Sequence, residues 1–234
     1  MGRTGTIGAL ASALLAAGSG AQAGEAAPNL SKLSLEQLAD IQVTSVSKRA
    51  ESAGDAPAAV FVISRDAIAR SGAASLPEIL RLAPNLQVSQ AGSSRYVITA
   101  RGFNGAPEAQ NYANKLLVLI DGRTVYTPLF SGVYWDMQSV VPQDIDRVEV
   151  ISGPGATLWG ANAVNGVINI ITKPAAATQG VLLSTTLGKD ARDGAVRYGG
   201  SLGADGHYRA YAKHAENDDT HTATGATVPT GWHR

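Results

Sequence analysis

The chain has 234 residues, and its 19 Lys and Arg residues equal its 19 Asp and Glu residues in number. This balance excludes both the basic surplus typical of nucleic-acid binding and the acidic surplus of a solvating tail. The sequence contains no cysteine, which excludes disulfides, thiolate metal sites and cysteine nucleophiles. Its 26 glycines and 6% aromatic residues favour turn-rich β structure over a helical bundle.

Residues 1–23 have the pattern of a secretory signal peptide. Arg3 supplies the positive start, residues 7–17 (IGALASALLAA) supply an apolar run, and residues 21–23 (AQA) match a cleavage site. The apolar run is shorter than the roughly 20 residues of a transmembrane helix. We therefore expect an exported protein whose mature chain begins at Gly24 and which could enter a membrane only through β-strands.

A small, polar arm is predicted over residues 24–56. Within it, residues 40–49 (DIQVTSVSKR) alternate β-branched with polar side chains and have no obvious core partners. This pattern predicts either an edge strand or an extended arm.

A compact α+β domain is predicted over residues 57–174. It begins with a strand over residues 59–63, followed by a short helix with Ser64 as its N-cap and Gly72 as its C-terminal glycine. A second helix is expected to begin after Ser75 and to stop at Pro84. Further strands are predicted at Val88 and over residues 96–103, 116–120 and 123–126, with a tight turn at Asp121 and Gly122.

The stretch from 142 to 174 is the most informative part of the sequence. Two β-branched strands, over residues 145–151 and 167–172, flank glycine turns and one helical turn at residues 156–159. This order predicts a strand, a glycine turn, a helical turn, a second glycine turn and a strand.

A nucleotide-binding interpretation of these glycines fails on its chemistry. Gly155 and Gly160 have the spacing of a phosphate-binding loop, but Ala161 and Asn162 stand where such a loop needs Lys and Ser or Thr. The glycines are therefore interpreted as parts of a tight chain reversal.

The same stretch is similar to the end of the plug domain of TonB-dependent outer-membrane receptors. Residues 145–173 (IDRVEVISGPGATLWGANAVNGVINIITK) match the family pattern along their length, except at Ser152, where the family usually has Arg. The ion pair that this Arg makes to the barrel wall in relatives is thus in question here. Residues 100–103 (ARGF) and 117–123 (LVLIDGR) extend the resemblance, which covers about residues 40–174.

The resemblance implies that the arm carries a TonB box, an extended peptide that adds as a strand to the energy-transducing partner in the periplasm. On the segment alone, the edge strand and the box are equal alternatives, and its place ahead of a plug favours the box. The implied contact residues are Ile41, Gln42, Val43, Thr44, Ser45, Val46 and Ser47.

Turn and ligand-facing residues are also implied by the resemblance. Residues 127–136 are rich in aromatic side chains that could pack on the barrel wall or touch ligand, and packing is favoured for Phe130. The candidate ligand-facing residues are Phe103, Asn104, Tyr134 and Trp135. The candidate turn and gating residues are Arg101, Gly102, Asp121, Gly122, Gly153, Pro154, Gly155, Gly160 and Gly166.

Long alternating strands are predicted over residues 175–234, with apolar side chains outward and polar side chains inward. A longer outer loop is expected over residues 188–194, a tight periplasmic turn over 203–206 and a second outer loop over 216–230. A soluble sheet edge can alternate in the same way, so this assignment depends on the preceding plug. Three strands are fewer than a closed barrel needs, which predicts a fragment or a truncated reading frame.

The predicted fold is an α+β plug domain, with a small mixed β-sheet and short helices, followed by the first antiparallel strands of an incomplete transmembrane β-barrel. The resemblance implies a monomeric receptor, when full length, that gates uptake of a large scarce solute. A ferric siderophore is the first expectation, with cobalamin, haem or a saccharide as alternatives. Its implied partners are a TonB-type protein, outer-membrane lipid and a metal chelate or similar ligand.

A soluble periplasmic or secreted binding module is the alternative from a different class, and an enzyme ranks third. His207 and His214 are seven residues apart on one predicted strand and so face opposite sides. No nucleophilic triad or shielded carboxylate pair is evident in the sequence. We therefore expect neither a catalytic site, a metal site nor a cofactor.

Overall fold

The computed structural model describes residues 42–44, 51–52, 58–101, 115–129, 131–189 and 191–233. Its α-helices are α1 (Arg65–Ser71), α2 (Leu76–Leu80) and α3 (Ala156–Trp159), and short 3-10 turns occur at Trp135–Met137, Pro142–Asp144 and Ala175–Thr178. Its strands are β1 (Gln42–Val43), β2 (Glu51–Ser52), β3 (Ala59–Ser64), β4 (Leu86–Gln90), β5 (Tyr96–Ala100), β6 (Leu116–Ile120), β7 (Arg123–Thr124), β8 (Ile145–Ser152), β9 (Gly166–Thr172), β10 (Gly180–Leu187), β11 (Ala191–Leu202), β12 (Gly206–Asn217), β13 (Thr220–His221), β14 (Thr227–Val228) and β15 (Trp232–His233). Within the described residues, no helix is long and apolar enough to cross a membrane.

A five-stranded mixed sheet lies at the centre of the first domain, in the order β3-β8-β9-β6-β7. Strands β6 and β9 are parallel, and the other neighbours are antiparallel. Because side chains alternate along each strand, the sheet has two distinct faces. One face packs on the helices through Val148, Val150, Ile168, Ile68 and Ile79. The other has a smaller cluster of Leu117, Leu119, Ile151, Ala163 and Val167. The predicted α+β fold with a mixed sheet is confirmed.

The central strand-turn-strand unit is confirmed, with α3 between β8 and β9. The first glycine turn begins at Gly153, whose φ is +109° and whose N–H donates to the Asn165 carbonyl at 3.1 Å. Gly166 has a different role, because a β-carbon there would lie 2.4 Å from the Ile151 carbonyl oxygen. Gly166 therefore permits the close approach of two backbones, without a positive φ.

The two longer helices differ at their ends. Helix α1 has the predicted caps, since the Ser64 Oγ accepts from the Ala67 N–H at 3.2 Å and Gly72 has a φ of +67°. Helix α2 follows Ser75 as predicted, but the prediction that it stops at Pro84 is wrong. It ends at Leu80, where hydrogen bonds to the third preceding residue replace the α-helical pattern, as from the Ala83 N–H to the Leu80 carbonyl.

A second, antiparallel sheet contains strands β10-β11-β12-β15. Its outward face is apolar: Val181, Leu183 and Leu187 are 68%, 80% and 77% exposed. The inward face is polar and turns toward the first domain, where the Gln143 Nε2 donates to the Ser184 Oγ at 2.8 Å. The predicted alternation of apolar outward and polar inward residues is confirmed.

The tight turn predicted over residues 203–206 is confirmed, since β11 ends at Leu202 and β12 begins at Gly206, but the two other predicted loops of this sheet are wrong in length. Strand β11 begins at Ala191, so residues 188–190 connect it to β10, and the Gly188 N–H donates to the Ala191 carbonyl at 2.8 Å. Residues 216–230 are also more regular than predicted, because β12 continues to Asn217 and the hairpin β13-β14 follows. Pairing across the hairpins extends the strands beyond what the Gly and Asp content of these segments favours.

We expect Gly166→Ala to lower the free energy of unfolding by about 1–3 kcal/mol, because the new methyl group meets a backbone oxygen that cannot rotate away. Urea unfolding followed by tryptophan fluorescence measures the change. Gly194→Ala is the control, since a β-carbon there has nothing within 4 Å. Equal stability of both variants would contradict the assigned close approach.

Candidate functional site

The arm lies against the central sheet through Val43 and Thr44. Val43 is 0% exposed. The Thr44 N–H points at the Glu149 carboxylate, at 3.0 Å from Oε2 and 3.2 Å from Oε1, and the Thr44 hydroxyl lies 3.3 Å from Oε1. The inference that this segment lacks core partners is therefore wrong. Ile41, Ser45, Val46 and Ser47 lie outside the described residues.

Strand alternation explains why a charged residue lies under the arm. Val148 and Val150 of β8 point into the helix-covered core, so Glu149 between them points to the opposite face. There it is 0% exposed, and the Arg147 Nε donates to its Oε1 at 2.8 Å. Arg147 also holds Asp146 at 2.9 Å. The arm thus covers a buried carboxylate that has a charged partner on its own strand.

The Asp121-Gly122 turn is tied to the end of β9. Both residues have positive φ values, +49° and +77°. The Asp121 carboxylate accepts from the Thr172 N–H at 2.8 Å and from the Thr172 hydroxyl at 2.9 Å. Two sequence motifs that lie far apart in the chain therefore meet here, and the carboxylate holds the end of β9 against the turn.

Asp144 joins the first domain to the second sheet (β10, β11, β12 and β15), which is called the wall below. It is 2% exposed, and its Oδ1 lies 2.5 Å from the Arg197 Nη1 of β11. Arg209 of β12 lies on its other side, with the Nε 3.8 Å from Oδ2. Arg209 also donates from Nη1 to the Lys173 carbonyl at 2.9 Å and from Nη2 to the Thr172 hydroxyl at 3.2 Å. One buried carboxylate thus lies between two wall arginines.

Sequence reasoning missed this interface, although a signal was present. Arg197 and Arg209 occupy inward positions of predicted strands, where a cation needs an acidic partner. Ser152, where the family usually has Arg, instead accepts a hydrogen bond from the Asn85 Nδ2 at 2.5 Å within the first domain. In the contact between the first domain and the wall, the carboxylate (Asp144) therefore belongs to the domain and the two guanidinium groups (Arg197 and Arg209) belong to the wall.

Two lysines add contacts near this junction: Lys213 of the second sheet reaches the first domain, and Lys173 makes its contact within the first domain. The Lys213 Nζ of β12 donates to the Ala74 carbonyl at 2.6 Å and lies 3.5 Å from an Asp193 oxygen. The Lys173 Nζ donates to the Gln143 carbonyl at 2.7 Å. Burial lowers the pKa of Lys173, and the nearby Arg65 lowers it further. The junction therefore concentrates positive charge around Asp144.

The turn residues named from the sequence lie where the chain reverses. Positive φ values occur at Arg101, Asp121, Gly122, Gly153 and Gly160. Gly155 follows Pro154, and its N–H donates to the Ala163 carbonyl at 2.9 Å, while a β-carbon there would lie 3.2 Å from Val167. Gly102 lies outside the described residues. The turns at Gly153, Gly155 and Gly160 flank α3, whereas the Asp121-Gly122 turn lies at the end of β9.

A cavity of about 1140 Å³ separates the first domain from the ends of β10 to β12. Trp135 borders it but is only 7% exposed and belongs to the core, whereas the neighbouring Tyr134 is 37% exposed. Phe103, Asn104 and Phe130 lie outside the described residues. Other lining residues include Glu78, Tyr96, Asp193, Asn217 and Asp219.

Tyr96 is the cavity residue with the most altered acidity. Burial, together with the charge of Glu78 and a hydrogen bond to that carboxylate, raises the pKa of its phenol to about 12. The Arg81 guanidinium, which pairs with Glu78 at 2.9 Å, acts in the opposite direction. Tyr96 is therefore held as a neutral hydrogen-bond donor.

Residues 52–167 match the model of the TonB-dependent receptor plug domain family. The chain belongs to the TonB-dependent receptors through this domain, as the sequence motifs predict, and the family places it in the outer membrane.

Individual relatives agree with this assignment. The chain is 32% identical over 158 residues to the vitamin B12 transporter BtuB of Vibrio vulnificus, a match that covers 67% of this chain and 24% of that protein. It is 29% identical to the ferric enterobactin receptor PirA of Pseudomonas aeruginosa, over 94% of this chain and 32% of PirA. The chain thus spans about a quarter to a third of the length of these relatives.

Solved structures show the same fold. The ferripyoverdine receptor of the outer membrane of Pseudomonas aeruginosa superimposes with a TM-score of 0.54 at 21% identity, over 75% of this chain and 22% of the receptor.

We expect Asp144→Asn to lower the free energy of unfolding by about 3 kcal/mol, because it leaves the guanidinium of Arg197, whose side chain is only 11% exposed, without its carboxylate. Urea unfolding of the detergent-solubilised chain measures this change in the free energy of unfolding. In a double-mutant cycle with Arg197→Gln, the double variant should lose less unfolding free energy than the two single variants lose in sum. Arg192→Gln on the same strand, which is 54% exposed, is the control and should change little. Additive losses would show that Asp144 and Arg197 do not interact.

The phenol of Tyr96 should ionise at a pH near 12, above its ordinary value of 10.0. Because its folded pKa is raised, its contribution to stability is complete below pH 10.0 and is lost as pH rises toward 12. Ultraviolet absorbance of phenolate, measured against pH, should show a step near pH 12 in the unchanged protein and no such step in Tyr96→Phe. In Glu78→Gln the step should move down but stay above 10.0, since burial is the largest cause. If Tyr96→Phe instead keeps the step near pH 12 and loses one near pH 10.0, the raised pKa does not belong to Tyr96.

Proposed function

We propose that this protein is an outer-membrane receptor that gates the TonB-dependent uptake of a large scarce solute. The observation that carries the proposal is the arm, in which Thr44 is docked on the buried Glu149 of a family-typical plug. Within residues 42–44, the arm is attached to the sheet by the burial of Val43 and the hydrogen bonds of Thr44, non-covalent contacts that suit a segment that must leave the sheet. The reaction is a gated movement, with no bond made or broken in the solute.

The second sheet supports a place in the membrane wall. Its outward side chains Val181, Leu183 and Leu187 are more than two-thirds exposed, and hydrocarbon is the environment in which such a face is stable. A soluble binding module, the alternative from a different class, would leave this face in water, where apolar area is costly. The exposed face therefore favours the receptor.

Uptake would proceed in three steps. Solute binds on the outer side, where Tyr134 and the cavity beside Trp135 are the candidate contacts. The arm then leaves Glu149, and its backbone adds as a strand to the TonB-type partner in the periplasm. Force on the arm finally rearranges the plug against the wall strands that hold Asp144.

For the solute we propose a ferric siderophore, with cobalamin as the second candidate and haem or a saccharide after it. The support is that relatives named for ferric enterobactin and for vitamin B12 both match this chain. Parallel uptake assays with radiolabelled ferric chelates and cyanocobalamin, in cells with and without the gene, separate these solutes.

We expect Val43→Pro to abolish uptake and to leave solute binding intact, because Pro removes a backbone donor and restricts the residue before it. Whole-cell binding and energised uptake of the solute, measured in parallel, test this. Val181→Ala, on the outward face of β10, is the control and should support normal uptake. Normal uptake by Val43→Pro would show that residues 41–47 are not the TonB box.

A further inference from the structure

Glu149 has a buried carboxyl group that takes no part in the turns, the wall contacts or the cavity beside Trp135. It is 0% exposed and lies on the sheet face opposite the helices. A carboxylate in this position is stable only when donors and cations surround it. Arg147 supplies one donor from the same strand, and the arm supplies the Thr44 N–H and hydroxyl from 105 residues away.

We infer that Glu149 is the docking residue of the arm and sets how readily the arm is released. While the arm is docked, Thr44 supplies two donors to the carboxylate, and Val43 is withdrawn from water. When the arm leaves, Glu149 loses both of these donors and Val43 becomes exposed. Charge-assisted hydrogen bonds are among the strongest polar contacts, so this contact opposes release of the arm.

The contact also explains why docking and strand addition exclude each other. Strand addition to a partner uses the backbone N–H groups of the added peptide, and the Thr44 N–H is the group that Glu149 holds. This step rests on the proposed function. Glu149 and the TonB-type partner compete for one donor, so weakening the Glu149 contact should favour the partner.

Hydrogen–deuterium exchange of the full chain in detergent tests the docking role without solute or partner. Glu149→Gln keeps the side-chain shape but loses the charge that assists the Thr44 bond. We expect exchange in peptides that contain residues 42–44 to rise about tenfold or more. Asp146→Asn is the matched control: it removes the other carboxylate that Arg147 holds, at 2.9 Å, without touching the arm, and arm exchange should stay within about twofold.

A second variant protects the test against loss of folding. Thr44→Pro deletes the donor from the arm and leaves β8 unchanged, so it should raise arm exchange while peptides of β8 and β9 keep their protection. Unchanged arm protection in Glu149→Gln and Thr44→Pro would overturn the inference. An equal rise in Asp146→Asn, or a rise in Thr44→Pro only together with β8 and β9, would also overturn it.

Binding of the purified periplasmic domain of the TonB-type protein separates this inference from the proposed function. Faster or tighter binding to Glu149→Gln than to Asp146→Asn supports both. Increased arm exchange without any binding of that domain supports Glu149 as the docking residue and counts against the proposed function.

Discussion

The junction between the plug and the wall depends on the burial of the Asp144 carboxylate. A carboxylate at 2% exposure needs cations close by, and Arg197 and Arg209 reach it from two adjacent strands. Because Arg209 also holds the Lys173 carbonyl and the Thr172 hydroxyl, the same cluster fixes the end of β9. Asp121 binds Thr172 from the other side, so the last plug strand, its neighbouring turn and the wall form one connected polar network.

Local sequence patterns predicted most of the plug because its elements follow local rules. Ser64 and Gly72 mark both ends of α1, and the β-branched residues of β8 and β9 mark two buried strands. The lengths of the strands in the second sheet were less predictable. Residues 188–194 contain glycines and charges that favour a loop, yet pairing of Leu187 with Arg192 across the hairpin extends both strands. Such tertiary pairing is absent from a window of local sequence.

The contacts of the candidate site were less accessible to sequence reasoning. Thr44 and Glu149 are 105 residues apart, and Asp144 and Arg197 are 53 residues apart. A charge in an alternating strand ordinarily indicates the solvent side, which hides the fact that Glu149 is covered by the arm. The family resemblance predicted a box in the arm and a plug after it, without indicating that the two segments touch through this carboxylate. The inward arginines of the wall strands were the one local sign that an acid must lie opposite.

The position of β3 decides how a pull on the arm would be resisted. This strand follows the arm in the chain and lies at the edge of the central sheet as described, next to β8. Tension from the arm would reach its Ala59 end first, and a pull across the sheet would load its ladder bonds one after another. An edge strand loaded in this way can peel off while β8, β9 and β6 keep their mutual pairing. Under such a pull the sheet would yield first at β3, with Thr172 at the end of β9 still bonded to Arg209 of the wall.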